Sequence, residues 1–369
     1  MIFFGSYLVV WLGILVLFAV RLGERRGAGV PAVPLPAPLP RVSILVAARN
    51  EEAALPRCLA ALRALAYPPE KVEVLVGDDA STDRTRAVAE AAMQGYAGQF
   101  KVLTIQEEQA GEARGKSNVL AQLAQAATTD FFFITDADIA VPPTWLRGLL
   151  AHAAPGVGTV TGITLVEGPH LLDRLQGLDW LFSLGLAQVA TEAGHAVTAM
   201  GNNMLVTRAA YRATGGYEAL PFSVIEDYAL FRAVLARGFG FRHVFGPEAL
   251  ASSLPVEGWR ALLKQRRRWV RGVEALPWQP KLGVLLFSGS WPALLGLLLT
   301  AGPGPALLGW ALKTLVEGLF VAACFRRAGR RPPLELLPAF ELYSLLMTIS
   351  LPLSRLLVRG VEWKGRRYA

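Results

Sequence analysis

Val72-Glu-Val-Leu-Val-Gly-Asp-Asp-Ala-Ser-Thr-Asp83 sets a short β-branched run directly against a turn of carboxylates and hydroxyls. Val72–Val76 reads as a buried strand; Gly77-Asp78-Asp79-Ala-Ser81-Thr-Asp83 reads as the turn that ends it and opens a helix, with Ser81 or Asp83 as the cap. The same pattern recurs along the chain. Val42–Val46 is a strand-like run followed by Asn50-Glu51 and by helical apolar spacing over Glu51–Leu65, and Val102–Ile105 and Phe131–Thr135 are further short buried runs separated by helical stretches. Such alternation predicts an α/β fold, a mostly parallel sheet covered by helices. Ligands of these sheets bind beyond the carboxyl ends of the strands, which is where Asn50-Glu51, Asp78-Asp79 and Asp136-Ala-Asp138 fall. A dinucleotide-binding dehydrogenase is disfavoured, because no Gly-x-Gly-x-x-Gly follows the first strand.

The 53% hydrophobic content and mean hydropathy of +0.38 are high for a soluble protein, and the excess sits at the two ends. Met1 to Val20 carries no charge and is followed at once by Arg21, Arg25 and Arg26, which predicts an uncleaved membrane anchor with its C-terminal side in the cytoplasm. Val30–Pro40 is proline-rich and predicts an extended linker. After Arg271 come apolar segments at roughly Leu282–Ala301, Pro305–Phe325 and Leu336–Val358; the last, with Pro338, Glu341, Pro352 and Arg355, reads as a span or as a re-entrant segment. Lys313 and Glu317, four apart on one helical face, predict an ion pair. The net charge of +8 clusters beside apolar segments, as at Arg326-Arg327 and Arg330-Arg331, so anionic lipid rather than nucleic acid is the expected partner. The two cysteines, Cys58 and Cys324, support neither a disulfide framework nor a zinc site.

Five further motifs carry chemistry. Asp136 and Asp138, separated by one residue in extended backbone, can share one hard divalent cation, Mg2+ or Mn2+. Arg114-Gly115-Lys116 places a cation at a helix start, suited to phosphate. Gly201-Asn202-Asn203, before the predicted strand Met204–Thr207, offers close backbone approach and amide hydrogen bonds to a sugar. Ser223-Val-Ile-Glu226 matches a capping box and leaves Asp227 in a first helical turn, where its ionised form is expected to be stabilised. Gln265, Arg268 and Trp269 share one face of a helix predicted from about Glu257 to Arg271; a basic stripe of Arg260, Lys264, Arg267 and Arg271 lies on another face, as in an interfacial helix.

Taken in order, Asp78-Asp79, Asp136-Ala-Asp138, Glu226-Asp227 and Gln265-Arg-Arg-Arg268-Trp269 resemble the membrane-embedded family 2 glycosyltransferases. These include the cellulose, chitin, hyaluronan and poly-N-acetylglucosamine synthases and the ceramide glucosyltransferases. The resemblance runs from about Arg41 to Arg271 and implies a GT-A-type nucleotide-sugar-binding domain flanked by transmembrane helices. It implies a membrane anchor over residues 1–22, a linker over 23–40, the GT-A domain over 41–256, an interfacial helix over 257–281 and a C-terminal membrane region with a basic tail over 282–369. It puts Asp79, Lys116, Asp136, Gln265, Arg268 and Trp269 at the nucleotide-sugar and the metal on Asp136 and Asp138. Asp227 becomes the general base, with Glu226, Asn202, Asn203 and Trp269 on the acceptor side. The family often has Thr where this chain has Ile225.

The expected function is inverting, metal-dependent transfer from a nucleotide-diphospho-sugar, most simply a UDP-sugar, to a lipid or lipid-linked acceptor. The expected site of action is the cytoplasmic face of a bacterial inner membrane. The alternatives are a processive polysaccharide synthase, which would call for an oligomer or an export partner, and a non-catalytic scaffold that binds nucleotide-sugar.

Overall fold

The computed structural model describes residues 2–24, 34–35, 37–105, 113–274, 281, 288–357, 361–363 and 366–368. The chain forms two compact units. One comprises Gly29–Glu167 and Thr198–Leu254, and the other comprises Met1–Ala28, Gly168–Val197 and Pro255–Ala369.

The first unit is built on a seven-stranded sheet in the order β3-β2-β1-β4-β8-β6-β9. Its strands are β1 (Val42–Ala48), β2 (Val72–Asp78), β3 (Gln99–Thr104), β4 (Phe131–Asp136), β6 (Val157–Thr161), β8 (Asn203–Thr207) and β9 (Gly240–His243). The pairs β3–β2, β2–β1, β1–β4 and β6–β9 are parallel, while β8 runs antiparallel to both β4 and β6. A smaller sheet joins β5 (Ile139–Ala140), β10 (Leu250–Ser253) and β7 (Ile163–Val166). The sheet is thus mostly parallel, as the alternation of short buried runs and helices predicts.

Strand periodicity decides which helix covers which face. Val42, Ile44, Val46, Val72, Val74 and Val76 share a core with Leu55, Cys58, Leu59 and Leu62 of α2 (Leu55–Arg63), Ala89 of α3 (Thr85–Ala92) and Trp145 of α5 (Trp145–Leu150). α4 (Lys116–Ala126) packs on β1 and β2, and Gly77 is what permits the approach. A Cβ there would stand 2.5 Å from Val119 Cγ1. The buried carboxylate of Glu73 is satisfied by the Ser43 hydroxyl at 2.5 Å and the Thr128 amide at 3.0 Å, so it belongs to the scaffold.

Register fixes the level of the site. Ala47 of β1 pairs with Gly77 of β2 on one side and Asp136 of β4 on the other, which aligns the two acidic strand ends along one edge. Because β8 is antiparallel to β4, with Asn203 opposite Thr135, its beginning lies at that same edge. α7 (Arg208–Thr214) and α8 (Glu226–Ala236) complete the unit.

The second unit contains α1 (Ile2–Glu24), α6 (Leu171–Glu192), α9 (Gly258–Glu274) and the helices Ser290–Ala301, Pro303–Arg327 and Leu337–Leu357. Ile2–Gly23, Pro303–Arg327 and Leu334–Ser354 are each long and apolar enough to cross a membrane. The apolar segment expected at Leu282–Ala301 is described as helix from Ser290 and is shorter; residues 282–287 lie outside the described set. The basic tail position Lys364 is likewise outside it, as are residues 25–33 and 36 of the linker expected over 23–40.

The Lys313–Glu317 pair forms at 2.9 Å and gains a third member, Glu341, at 2.7 Å. The Trp291 ring lies 4.9 Å from the Lys313 ammonium. Leu8 of α1 packs with Ala293, Leu294 and Leu297.

Candidate active site

The turns after β1 and β2 are laced together. Asn50, in the left-handed region at φ 53°, accepts from the Thr82 amide at 2.8 Å and donates its own amide to Ser81 Oγ at 3.0 Å. Glu51 and Glu52 amides reach Thr85 Oγ1 and Asp83 Oδ2. Neither cap the sequence offers for α3 is its N-cap, which is Arg84 without a side-chain cap; Asp83 accepts from the Thr85 amide at 2.9 Å, while Ser81 ties the two turns. Asp79 is buried, with its amide on Ala48 O; the Arg49 guanidinium donates to its carbonyl at 2.9 Å and stands 3.4 Å from Oδ2. Arg49 therefore sets the orientation of the carboxylate expected at the nucleotide. The sequence signal was a cation directly after the first strand.

Asp136 ends β4, and Asp138 follows in the turn to β5 rather than in extended backbone. The two still share one electrostatic environment. Burial first, then repulsion from Asp136 and Glu51, pushes the Asp138 carboxyl up to about 6. Hard oxygen donors in an enclosed place that penalises their charge fit a divalent cation. Among the described residues no three His, Cys, Asp or Glu side chains converge as a full ligand set. Glu51, which the sequence places at the same ligand edge without a role, acts on the Asp138 carboxylate.

Lys116 starts α4, and its ammonium lies 2.6 Å from Asp136 Oδ1 and 2.8 Å from Glu226 Oε1. Burial alone would push it down, but Asp136, Glu226 and Asp227 outweigh burial and hold it above the ordinary lysine value. The ammonium is therefore charged. This pairing corrects the expected capping box: Ser223 Oγ accepts from the Ile225 amide at 3.2 Å, and buried Glu226 turns to Lys116 instead.

Asp227, in the first turn of α8, accepts from the Gly201 amide at 2.8 Å through Oδ2 and from the Tyr228 amide at 2.8 Å through Oδ1. These amides and Lys116 favour its charge, but burial and Glu226 prevail and push it up to about 6, opposite to the direction expected from the helix turn alone. Gly201 is needed where it stands, because a Cβ would meet Asp227 Cβ at 2.5 Å.

The segment before β8 divides into two roles. Asn202 is half-buried; its backbone carbonyl accepts from Thr135 Oγ1 at 3.0 Å and its side chain from Thr164 Oγ1 at 3.2 Å. Asn203 is 0% exposed, donating to Ile163 O and Ala249 O at 2.8 Å each and accepting from Trp145 Nε1 at 2.8 Å. Its amide is consumed by the joint between sheets, so the acceptor contact expected of Asn203 is corrected to a structural one.

Tyr217, after the left-handed Gly215 and Gly216, is 2% exposed, and its hydroxyl has no hydrogen-bond partner among the described residues. Burial, then Glu226, Tyr211, Asp227 and Asp136, push it well above the ordinary tyrosine value. The double glycine was the overlooked sequence signal.

Gln265, Arg268 and Trp269 belong to the second unit, on α9. There the Trp269 ring lies 4.4 Å from that of Trp180 on α6, and the Arg266 guanidinium sits 4.3 Å over Trp269 and 2.6 Å from Asp179 Oδ2. The Tyr343 hydroxyl donates to the same Asp179 oxygen at 3.0 Å. α9 is thus anchored to α6 by an aromatic and ionic joint that the spacing of Gln265, Arg268 and Trp269 did not reveal.

A mostly parallel sheet with acidic groups at its carboxyl edge is the GT-A arrangement. The same fold is found in the mannosyltransferase PcManGT from Pyrobaculum calidifontis, solved in complex with GDP-Man and Mn2+, with TM-score 0.58 and 20% identity over 88% of this chain and 97% of that one. Residues 40–272 match the family described as "Glycosyltransferase like family 2", and the chain belongs to that family. It is 28% identical over 308 residues to a beta-monoglucosyldiacylglycerol synthase of Synechocystis sp., covering 77% of this chain and 62% of the relative. It is 27% identical over 236 residues to a poly-beta-1,6-N-acetyl-D-glucosamine synthase of Staphylococcus aureus, covering 63% and 54% respectively. The chain therefore matches little more than half the length of these relatives.

Proposed function

We propose that this protein transfers a sugar, with inversion, from a UDP-linked donor to a lipid or lipid-linked acceptor at the cytoplasmic face of a bacterial inner membrane. The observation that carries the reading is the convergence of Asp136, Lys116, Glu226 and Asp227 at the edge formed by β4 and the start of β8. Asp136 and Asp138 would hold Mg2+ or Mn2+, which offsets the charge developing on the leaving diphosphate when bound. Arg49 fixes Asp79 for the nucleotide, and Lys116 presents its ammonium to the diphosphate side. Asp227, held by the Gly201 and Tyr228 amides, takes the proton of the acceptor hydroxyl as its oxygen bonds to the anomeric carbon. The bond from that carbon to the diphosphate oxygen breaks, and its electron pair leaves with the nucleotide. A carboxylate raised to about 6 is a stronger base than an ordinary one and remains ionised near neutrality.

A lipid acceptor is favoured because the match to the glucolipid synthase extends over 77% of the chain against 63% for the polysaccharide synthase. The exposed apolar helices of the second unit would keep the protein at the bilayer. Polymer synthesis is the second reading, supported by the Staphylococcus aureus relative.

The test is nucleotide release by membranes containing the protein, given UDP-, GDP- and TDP-sugars with Mn2+ or Mg2+ and lipid extract. UDP release that chelation stops and that both Asp138→Asn and Asp227→Asn abolish supports the proposal. Donor binding without release in the wild type would replace it with the scaffold reading.

A further inference from the structure

The Lys116 ammonium occupies a position that a bound cation would contest. It stands 2.6 Å from Asp136 Oδ1, one of the two carboxylates proposed to hold the metal, and 2.8 Å from Glu226 Oε1, on the helix that carries Asp227. The ammonium takes up one oxygen of that carboxylate and repels a second cation brought to the same group. We propose that Lys116 is a resident counter-ion in exchange with the divalent cation: its hold on Asp136 opposes metal binding, and its grip on Glu226 sets how firm that hold is. The inference rests on the metal reading above.

Two observations bear on how the exchange works. Lys116 is the link between the metal carboxylate and the base-bearing helix, so Glu226 reaches Asp136 through it. The buried Tyr217 hydroxyl has no partner among the described residues, and of the charges around it Glu226 acts on it most strongly. An orphaned buried donor is costly unless another state of the site uses it. When Lys116 swings toward the donor diphosphate, Glu226 loses its ammonium, and the proposed replacement donor is the unpartnered Tyr217 hydroxyl. Donor loading thereby changes the partner of the residue preceding Asp227, so the base is set by the state of the donor site.

The test is equilibrium binding of Mn2+ alone to the full chain in detergent, read from the electron paramagnetic resonance signal of free Mn2+. Lys116→Met should bind Mn2+ tighter by about tenfold or more, as expected for removing a charge-assisted competitor. A gain of affinity cannot come from misfolding. Glu226→Gln frees Lys116 to hold Asp136 alone and should weaken Mn2+ binding severalfold.

The decisive comparison is Glu226→Gln in the Lys116→Met background, where it should have almost no effect because its route to Asp136 is gone. An equal effect in both backgrounds would mean that Glu226 acts on the metal directly, and would overturn the exchange. Tyr217→Phe should keep wild-type thermal stability and weaken binding of UDP with Mn2+ severalfold; unchanged UDP binding would remove Tyr217 from the scheme. Asp138→Asn separates the two readings. If wild-type protein binds no Mn2+ that this substitution abolishes, the metal reading fails and the exchange with it.

Discussion

Gly201→Ala places one methyl group against the residue proposed to carry the chemistry. The new Cβ would stand 2.5 Å from Asp227 Cβ, 2.8 Å from Oδ2 and 3.0 Å from Cγ, well inside contact distance. Asp227 has little freedom to yield, since it lies in the first turn of α8 and its other oxygen is engaged by the Tyr228 amide. Overpacking of this kind costs about 1–3 kcal/mol. Loss of the 2.8 Å bond from the Gly201 amide to a charged acceptor adds about 1.5–3 kcal/mol if the bond breaks fully. Relief by shifting the carboxyl reduces the stability cost but moves the base, and a displacement of about 1 Å costs roughly 100-fold in rate. The expected outcome is a fall in kcat of about 100-fold, with the KM for donor changed less than threefold. The apparent Tm should drop by a few degrees. Donor-dependent nucleotide release and thermal unfolding in detergent measure both. Gly201→Ala protein with wild-type kcat would refute the placement of Asp227 as base.

Asp227→Asn should lower kcat by about 100- to 10,000-fold while leaving donor affinity within threefold, measured by nucleotide release and by UDP binding. Because the Asp227 pKa is raised from the ordinary 3.8 to about 6, two pH effects of opposite sign follow. Protonation of this group favours the folded state, so its contribution to stability declines as pH climbs through that window; kcat/KM instead rises with pH to a limb near 6 as the base ionises. A kcat/KM that is flat from about pH 5 to 8 would contradict the assignment. Lys116→Met should move that limb upward, since Lys116 is among the groups that hold Asp227 ionised. In the second unit, Lys313→Ala strands Glu317 and Glu341 together at a fully buried position and should cost about 3–5 kcal/mol, seen as earlier thermal unfolding in detergent.

Much of this was legible in the chain because strand runs such as Val42–Val46 and Val72–Val76 are buried on both faces and leave an unbroken apolar signature. Their polar ends then mark the edge where ligands bind, and Asp78-Asp79 and Asp136-Ala-Asp138 fall there. What stayed hidden depends on pairings distant in sequence. Nothing local says that Glu226 prefers Lys116, 110 residues away, to the capping partner three residues before it. Asn203 looked like an acceptor contact because an amide beside a glycine can bind a sugar, yet the same amide can close a joint between two sheets. The upward push on Asp227 likewise required knowing what encloses it, since the helix turn by itself points the other way. Glu341 escaped pairing with Lys313 for the same reason, lying 28 residues away on another helix.

The most direct test of the account follows radiolabel from a UDP-sugar into products, using membranes with wild-type protein, with Asp227→Asn and with neither. The account predicts label in a small organic-extractable product that forms only with the wild-type protein and stops on chelation of divalent cations. Label entering a high-mass polymer would contradict the lipid acceptor, and undiminished transfer by Asp227→Asn would contradict the site itself.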